Sequence, residues 1–99
     1  MIVALARLKL KEGTADEFIK VAQLLAAASR TEPGCLAYEL LKEGPLQYSF
    51  LERYANDEAV EAHRKTDHFR THGRKLGDFI EGRPEVIRLA EVELEAGAS

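Results

Sequence analysis

Three histidines, one cysteine, three tyrosines and a carboxylate placed among aromatics are the groups of this chain whose types and spacing could do chemistry. Helical spacing sets His63 beside Ala59 and Ala62, facing the body of the protein next to two very small side chains. An imidazole with space around it suits a general base for a phenolic or enolic proton. The competing reading is a core histidine bonded to a carboxylate such as Glu52. Glu52 shares strand parity with Tyr48, Phe50 and Tyr54, and a carboxylate among aromatics is costly unless paired. His63 or an arginine is the partner expected, so Glu52 would orient His63 or hold a substrate hydroxyl; a purely structural hydrogen bond is the alternative.

The other candidates carry weaker signals. His68 and His72 stand four apart and could share a helical face, but no third ligand is placed to complete a metal site, so no metal is assigned. His68 reads as shaping a helix junction near Asp67, and His72, in line with Phe69 and Leu76, as core or pocket wall. Tyr38, Tyr48 and Tyr54 offer aromatic walls and phenolic donors, although core packing is the default for each. Cys35 reads as a small buried hydrophobe. Arg7 could meet an anionic substrate, but a salt bridge with Glu39 across the sheet is preferred.

The composition bounds what these groups can belong to. With 99 residues, 45% hydrophobic and 31% charged, the chain suits one soluble domain with one modest core. A net charge of -3, without a basic patch interleaved with aromatics, argues against nucleic acid as a partner. A single cysteine excludes an intramolecular disulfide framework. The apolar run Ile2 to Ala6 is broken by Arg7 and Lys9, too early for a signal peptide or membrane span, so no membrane and a cytoplasmic location are expected. Gly-rich phosphate loops and dinucleotide fingerprints are absent, and no cofactor is expected.

The elements that must position the candidates follow from periodicity. Ile2 to Leu10 alternates as a strand, and Thr14 with Glu17 forms a capping box before a helix with Phe18, Val21, Ala22, Leu25, Ala28 and Ser29 on one stripe. Glu32-Pro33-Gly34 ends that helix. Leu36 to Glu43 and Leu46 to Tyr54 make a hairpin about Gly44-Pro45. Asn56 caps a helical stretch with Ala59, Ala62 and His63 inward, and Asp67 caps a renewed helix carrying Phe69, His72, Gly73, Leu76, Phe79 and Ile80. A last strand spans Glu85 to Glu95, and residues 96–99 form a frayed tail to a single domain of residues 1–95. The order β-α-β-β-α-β predicts an α+β, ferredoxin-like split βαβ fold: a four-stranded antiparallel sheet with helices on one face. Val3, Leu5, Leu41, Leu51, Ile87 and Leu89 would then leave the other face apolar, and a homodimer packed sheet on sheet is expected.

Four segments carry a family resemblance. Glu32-Pro33-Gly34-Cys35-Leu36-Ala37-Tyr38, Phe50-Leu51-Glu52-Arg53-Tyr54, Asp57-Glu58-Ala59 through His63, and Thr66-Asp67-His68-Phe69 resemble, in order, motifs of the antibiotic biosynthesis monooxygenase family. Tyr54 stands where the commonest pattern has Trp. The resemblance implies a dimeric α+β barrel with a pocket between sheet and helices in each subunit. It also implies one of several chemistries: cofactor-free oxidation of quinols or anthrones, haem degradation, or isomerisation of a phosphorylated autoinducer sugar. The haem branch carries Asn near Ala6 and Trp near His63, and both are missing here.

On this reading the chain is a cofactor-independent monooxygenase of a small electron-rich aromatic. His63 is the base and Glu52 its orienter, with Tyr54, Tyr48, Phe50, Tyr38, His72, Phe69 and Leu76 around the substrate. The alternatives are an isomerase of the autoinducer-processing type, where Arg64, Lys65 and Arg83 could meet a phosphate, and a non-enzymatic ligand-binding or stress-response dimer.

Overall fold

A computed structural model describes residues 1–92. The elements run β1 (Ile2–Lys9), α1 (Ala15–Ser29), β2 (Cys35–Gly44), β3 (Gln47–Tyr54), α2 (Asp57–Arg64), α3 (Asp67–Gly77) and β4 (Glu85–Ala90). The strands form one antiparallel sheet in the order β2-β3-β1-β4, so the expected ferredoxin-like topology is present, with its second helical segment broken into α2 and α3. The last strand stops at Ala90, and the part of its expected range beyond residue 92, with the tail, lies outside the described residues. Among the described residues no helix is long and apolar enough to cross a membrane.

Strand alternation sorts the side chains as the pattern requires. Leu8, Tyr38, Tyr48 and Phe50 point to the helices and meet Phe18, Leu25, Leu76 and Phe79 in one core. On α1 the buried stripe is Phe18, Ala22, Leu25, Ala26 and Ser29, so Ala26 takes the place expected of Ala28. The opposite sheet face is apolar across three adjacent strands: Leu5 lies between Leu51 and Ile87, and Val3 pairs with Leu89. Leu41 and Leu89 on that face remain 44% and 50% exposed.

Three local expectations are corrected. Thr14 stands at the N-cap of α1 but makes no side-chain cap; its hydroxyl donates back to the Lys11 carbonyl at 2.7 Å, so the capping box does not form. Thr66, not Asp67, caps α3, its hydroxyl accepting from the Phe69 amide at 3.2 Å. Arg7 pairs with Glu43 at 2.8 Å and lies 3.6 Å from Glu85, not with Glu39, since the edge of the sheet brings those carboxylates within its reach. Asn56 does cap α2, accepting from the Ala59 amide at 2.9 Å.

One close approach ties the loop after α1 to α2. A Cβ at Gly34 would fall well inside contact distance of the Ala59 Cβ, and the Gly34 carbonyl accepts from the Ala55 amide at 2.9 Å. Only glycine lets the first turn of α2 lie this near the entry to β2. Gly34→Ala is therefore expected to destabilise the protein by about 1–3 kcal/mol through overpacking. Adding Ala59→Gly should recover part of that loss, less the roughly 1 kcal/mol a helical glycine costs. Urea unfolding of the two variants checks this, and an unchanged midpoint for Gly34→Ala would contradict the packing described.

Candidate active site

Between the sheet and the helices lies a cavity of about 260 Å³. Its floor is β1, where Ala4 and Ala6 leave the space that larger residues would fill. Tyr38, Phe50 and Tyr54 from the sheet, Val60 and His63 from α2, and Phe69, Gly73 and Leu76 from α3 form the walls. Val86 of β4 also lines it and is 63% exposed, so the cavity opens toward that edge of the sheet. A cavity of about 150 Å³ already accepts benzene, and this one has room for a larger aromatic molecule.

His63 occupies the last turn of α2 and is buried, its ring surrounded by those of Tyr38, Tyr54 and Phe69 at 5.4, 5.5 and 4.9 Å between centroids. Its Nδ1 lies 2.8 Å from Glu32 Oε2. A carboxylate accepts, so Nδ1 carries the proton, and in the neutral ring Nε2 is left with its lone pair. That Nε2 is buried and without a hydrogen-bond partner among the described residues. A second imidazole reaches the same oxygen: His68 Nε2 is 2.6 Å from Glu32 Oε2. The corner that sets the two rings around one carboxylate is made by Thr66, whose hydroxyl donates to the His63 carbonyl at 2.7 Å while accepting from Phe69.

The orienter of His63 is thus Glu32 and not Glu52. Glu52 instead accepts a hydrogen bond of 2.5 Å from the Tyr54 hydroxyl, two residues along the same strand face. Tyr38 stands directly opposite Glu52 on β2 and also supports its charged form. Burial pushes the Glu52 carboxyl above the ordinary carboxylate range, against the opposing pull of Tyr54, His63 and Tyr38. Burial, followed by the nearby Glu52 charge, raises the Tyr38 and Tyr54 hydroxyls as well, which keeps both protonated at neutral pH. Cys35 is half-buried, its thiol raised chiefly by burial and next by Glu32, so it lacks the activated thiolate of a nucleophile.

Of the expected substrate-contacting residues, Tyr54, Phe50, Tyr38, Phe69 and Leu76 line the cavity together with His63 and Glu52. Tyr48 does not: it is core, with its ring centroid 5.2 Å from that of Phe18. His72 also lies elsewhere, in a surface depression with Val21, Thr71 and Lys75, while its neighbour Gly73 faces the cavity. Ala62 is exposed, and the space near His63 comes from Ala4, Ala6 and Gly73. Glu32 was not among the expected site residues, although it opens the Glu32-Pro33-Gly34-Cys35 motif. The position of that carboxylate at the head of a motif was the available signal.

Glu32, His63 and His68 have the donor types of a three-ligand metal site. Ligand atoms around a tetrahedral zinc, with bonds of about 2.0–2.1 Å, stand about 3.3 Å apart. Here both imidazole nitrogens lie within hydrogen-bond distance of one shared oxygen, an arrangement of two donors and one acceptor.

A family model, Antibiotic biosynthesis monooxygenase, matches residues 1–75. The chain belongs to this family. Among its relatives, an isomerase of (4S)-4-hydroxy-5-phosphonooxypentane-2,3-dione from Klebsiella pneumoniae is 33% identical over 82 residues, covering 81% of this chain and 84% of that protein. A Bacillus subtilis protein named "Putative monooxygenase YcnE" is 31% identical over 90 residues, covering 89% of this chain and 95% of its own. The chain spans 60% of the length of a Synechocystis relative to which it is 30% identical. Among solved structures, a family protein from Nitrosomonas europaea superposes with a TM-score of 0.90 at 19% identity, over 94% of this chain and all of that one, which speaks to the fold. The relatives of the chain therefore include proteins named for two different reactions.

The raised Glu52 carboxyl has a consequence for stability. In the folded protein Glu52 keeps its proton to higher pH than in the unfolded chain, so the folded state binds more protons across that window. Stability contributed through Glu52 is then greatest at low pH and falls as pH rises from the ordinary carboxylate value through the raised one. Glu52→Gln, which still accepts from Tyr54, should be more stable than the unaltered protein at neutral pH and lose this advantage on acidification. Urea unfolding at a series of pH values measures the difference; parallel curves for the two proteins would contradict the assignment.

Proposed function

We propose that the chain oxidises a small electron-rich aromatic of the quinol or anthrone type with O2, without a bound cofactor. The observation that carries this reading is the unpartnered Nε2 of His63, a residue that lines a largely apolar cavity. Glu32 holds the opposite nitrogen, and the role assigned to Nε2 is to accept from a hydroxyl-bearing substrate seated against His63 in the cavity. Tyr54 spends its proton on Glu52, which leaves the polar end of the cavity rich in acceptors and suited to a ligand that donates.

In this reaction His63 Nε2 takes a phenolic proton and gives an electron-rich anion, while Glu32 balances the imidazolium. The anion passes one electron to O2, and the resulting radical pair combines to form a carbon–oxygen bond. His63 returns its proton to the resulting peroxide anion, giving a hydroperoxide, and then takes the proton from the oxygenated carbon as the O–O bond breaks; the released hydroxide accepts that proton and leaves as water. One oxygen atom enters the product, the other leaves as water, and the substrate supplies all the electrons. Tyr38, Phe50, Tyr54 and Phe69 hold the ring.

The relatives named as isomerases favour a second reading, in which the same base moves a proton on a phosphorylated hydroxydione. A phosphate needs cations, and the one cationic side chain among those lining the cavity, Arg64, is 62% exposed and faces Glu61 at 3.7 Å. The oxidation is preferred on that ground. His63→Ala should lower the rate of aerobic oxidation of a menadiol-type substrate by roughly 10²–10⁴-fold, followed with an oxygen electrode. Unchanged oxygen uptake in the variant would remove His63 as the base. Turnover of the phosphorylated dione without oxygen uptake would favour the isomerase, and saturable quinone binding without product a ligand-binding protein.

We also infer that two copies pack through the apolar sheet face of Leu5, Leu51, Ile87, Leu41 and Leu89, in the cytoplasm, where the free half-buried Cys35 suits a reducing milieu. Light scattering should give twice the 11.0 kDa of the chain at micromolar concentration, and the double variant Leu41→Glu, Leu89→Glu a monomer. A monomeric unaltered protein would overturn the dimer.

A further inference from the structure

His68 lies outside the cavity lining, and no step of the proposed oxidation uses it. Its ring nevertheless makes the shorter of the two contacts to Glu32, at 2.6 Å against 2.8 Å for His63. Glu32 sits on the turn between α1 and β2, where the Glu32 amide donates to Ser29 and the Cys35 amide donates to the Glu32 carbonyl, both at 3.1 Å. These bonds hold the backbone of Glu32 but leave its side-chain torsions free. One hydrogen bond from His63 would set a distance without setting the direction of the carboxylate. A second donor, from a different helix, sets both.

We propose that His68 is a positioning residue for His63, acting through Glu32. Oε2 accepts from both rings only when His63 carries its proton on Nδ1 and His68 on Nε2. That arrangement fixes the His63 tautomer that leaves the buried Nε2 as an acceptor. The other tautomer puts an unpartnered N–H on the buried Nε2 and leaves no acceptor at that atom. Without His68, the Glu32 side chain, already 12% exposed, can turn toward water and release the Nδ1 proton of His63. His68 is the solvent-facing member, with its side chain 22% exposed against 3% for His63. Its substitution therefore removes a contact to Glu32 without opening the core.

The kinetic consequence rests on the proposed oxidation; the tautomer does not, and the two are measured separately. In protein labelled with ¹⁵N-histidine, long-range proton–nitrogen correlation should show neutral His63 protonated on Nδ1 alone. His68→Leu should mix the two tautomers of His63, and so should His68→Asn, whose amide ends short of Glu32. His68→Gln, which places an amide donor near the lost Nε2, should restore the single tautomer. With a menadiol-type substrate, the Leu and Asn variants should lose about tenfold in kcat with KM little changed, a part of what a positioned base contributes, and Gln should recover most of it. A single Nδ1–H tautomer in both the Leu and Asn variants, or a Gln variant as mixed as Leu, overturns the positioning role. An unaltered protein that consumes no oxygen overturns the oxidation instead, and the spectra then decide the role of His68 alone.

Discussion

A carboxylate withdrawn from water must be met by donors, and at Glu32 the donors are two imidazoles from two different helices. Much of the local architecture follows from that requirement. The turn after α1 has to reach α2, which Gly34 permits by letting Ala59 lie against it. The chain then has to corner between α2 and α3 so that residues 63 and 68 converge, and Thr66 makes the corner by serving both helices with one hydroxyl. Three of the four segments that look like separate motifs along the chain, those of Glu32, His63 and His68, meet in a single contact in three dimensions.

The two acidic residues near the cavity are satisfied in different ways, and the difference separates their roles. Glu32 takes its hydrogen bonds from two imidazoles, His63 and His68. Glu52 takes its bond from a tyrosine whose hydroxyl is held firmly protonated by burial. A carboxylate partnered by an imidazole can balance a charge that appears during a reaction; one partnered by a buried phenol anchors a wall. The position of Glu52 among aromatics pointed to a partner, and Tyr54 supplies it from the same strand.

Most of the fold was legible because it rests on local periodicity. Strand parity placed Glu52, Tyr54 and Phe50 on the inner face and Leu5, Leu51 and Leu89 on the outer one, and the register of the sheet agrees. Helical spacing did less well where one residue decides the outcome. A step of one position turns a helix by about 100°, which is why Gly73 and not His72 meets the cavity. The central pairing was the least legible part. Glu32 lies 31 positions from His63 and 36 from His68, and no periodicity links a turn to helices beyond two intervening strands. Spacing shows which face a residue takes; it does not show which distant residue shares that face.

The same geometry bears on how so short a chain can enclose a cavity beside His63. Small side chains on β1 and Gly73 on α3 create the space, so the cavity needs no extra loop or domain to enclose it. His63 is held at Nδ1 by a network lying outside the cavity wall, and its Nε2 is left without a partner among the described residues. The supported nitrogen and the unpartnered one are therefore the two nitrogens of one ring. A residue in the supporting network can be changed without altering what a ligand touches, and a ligand can vary without disturbing the network. Under the proposed function, that separation would let one proton-accepting nitrogen serve substrates of different shape, the cavity walls deciding which of them fits.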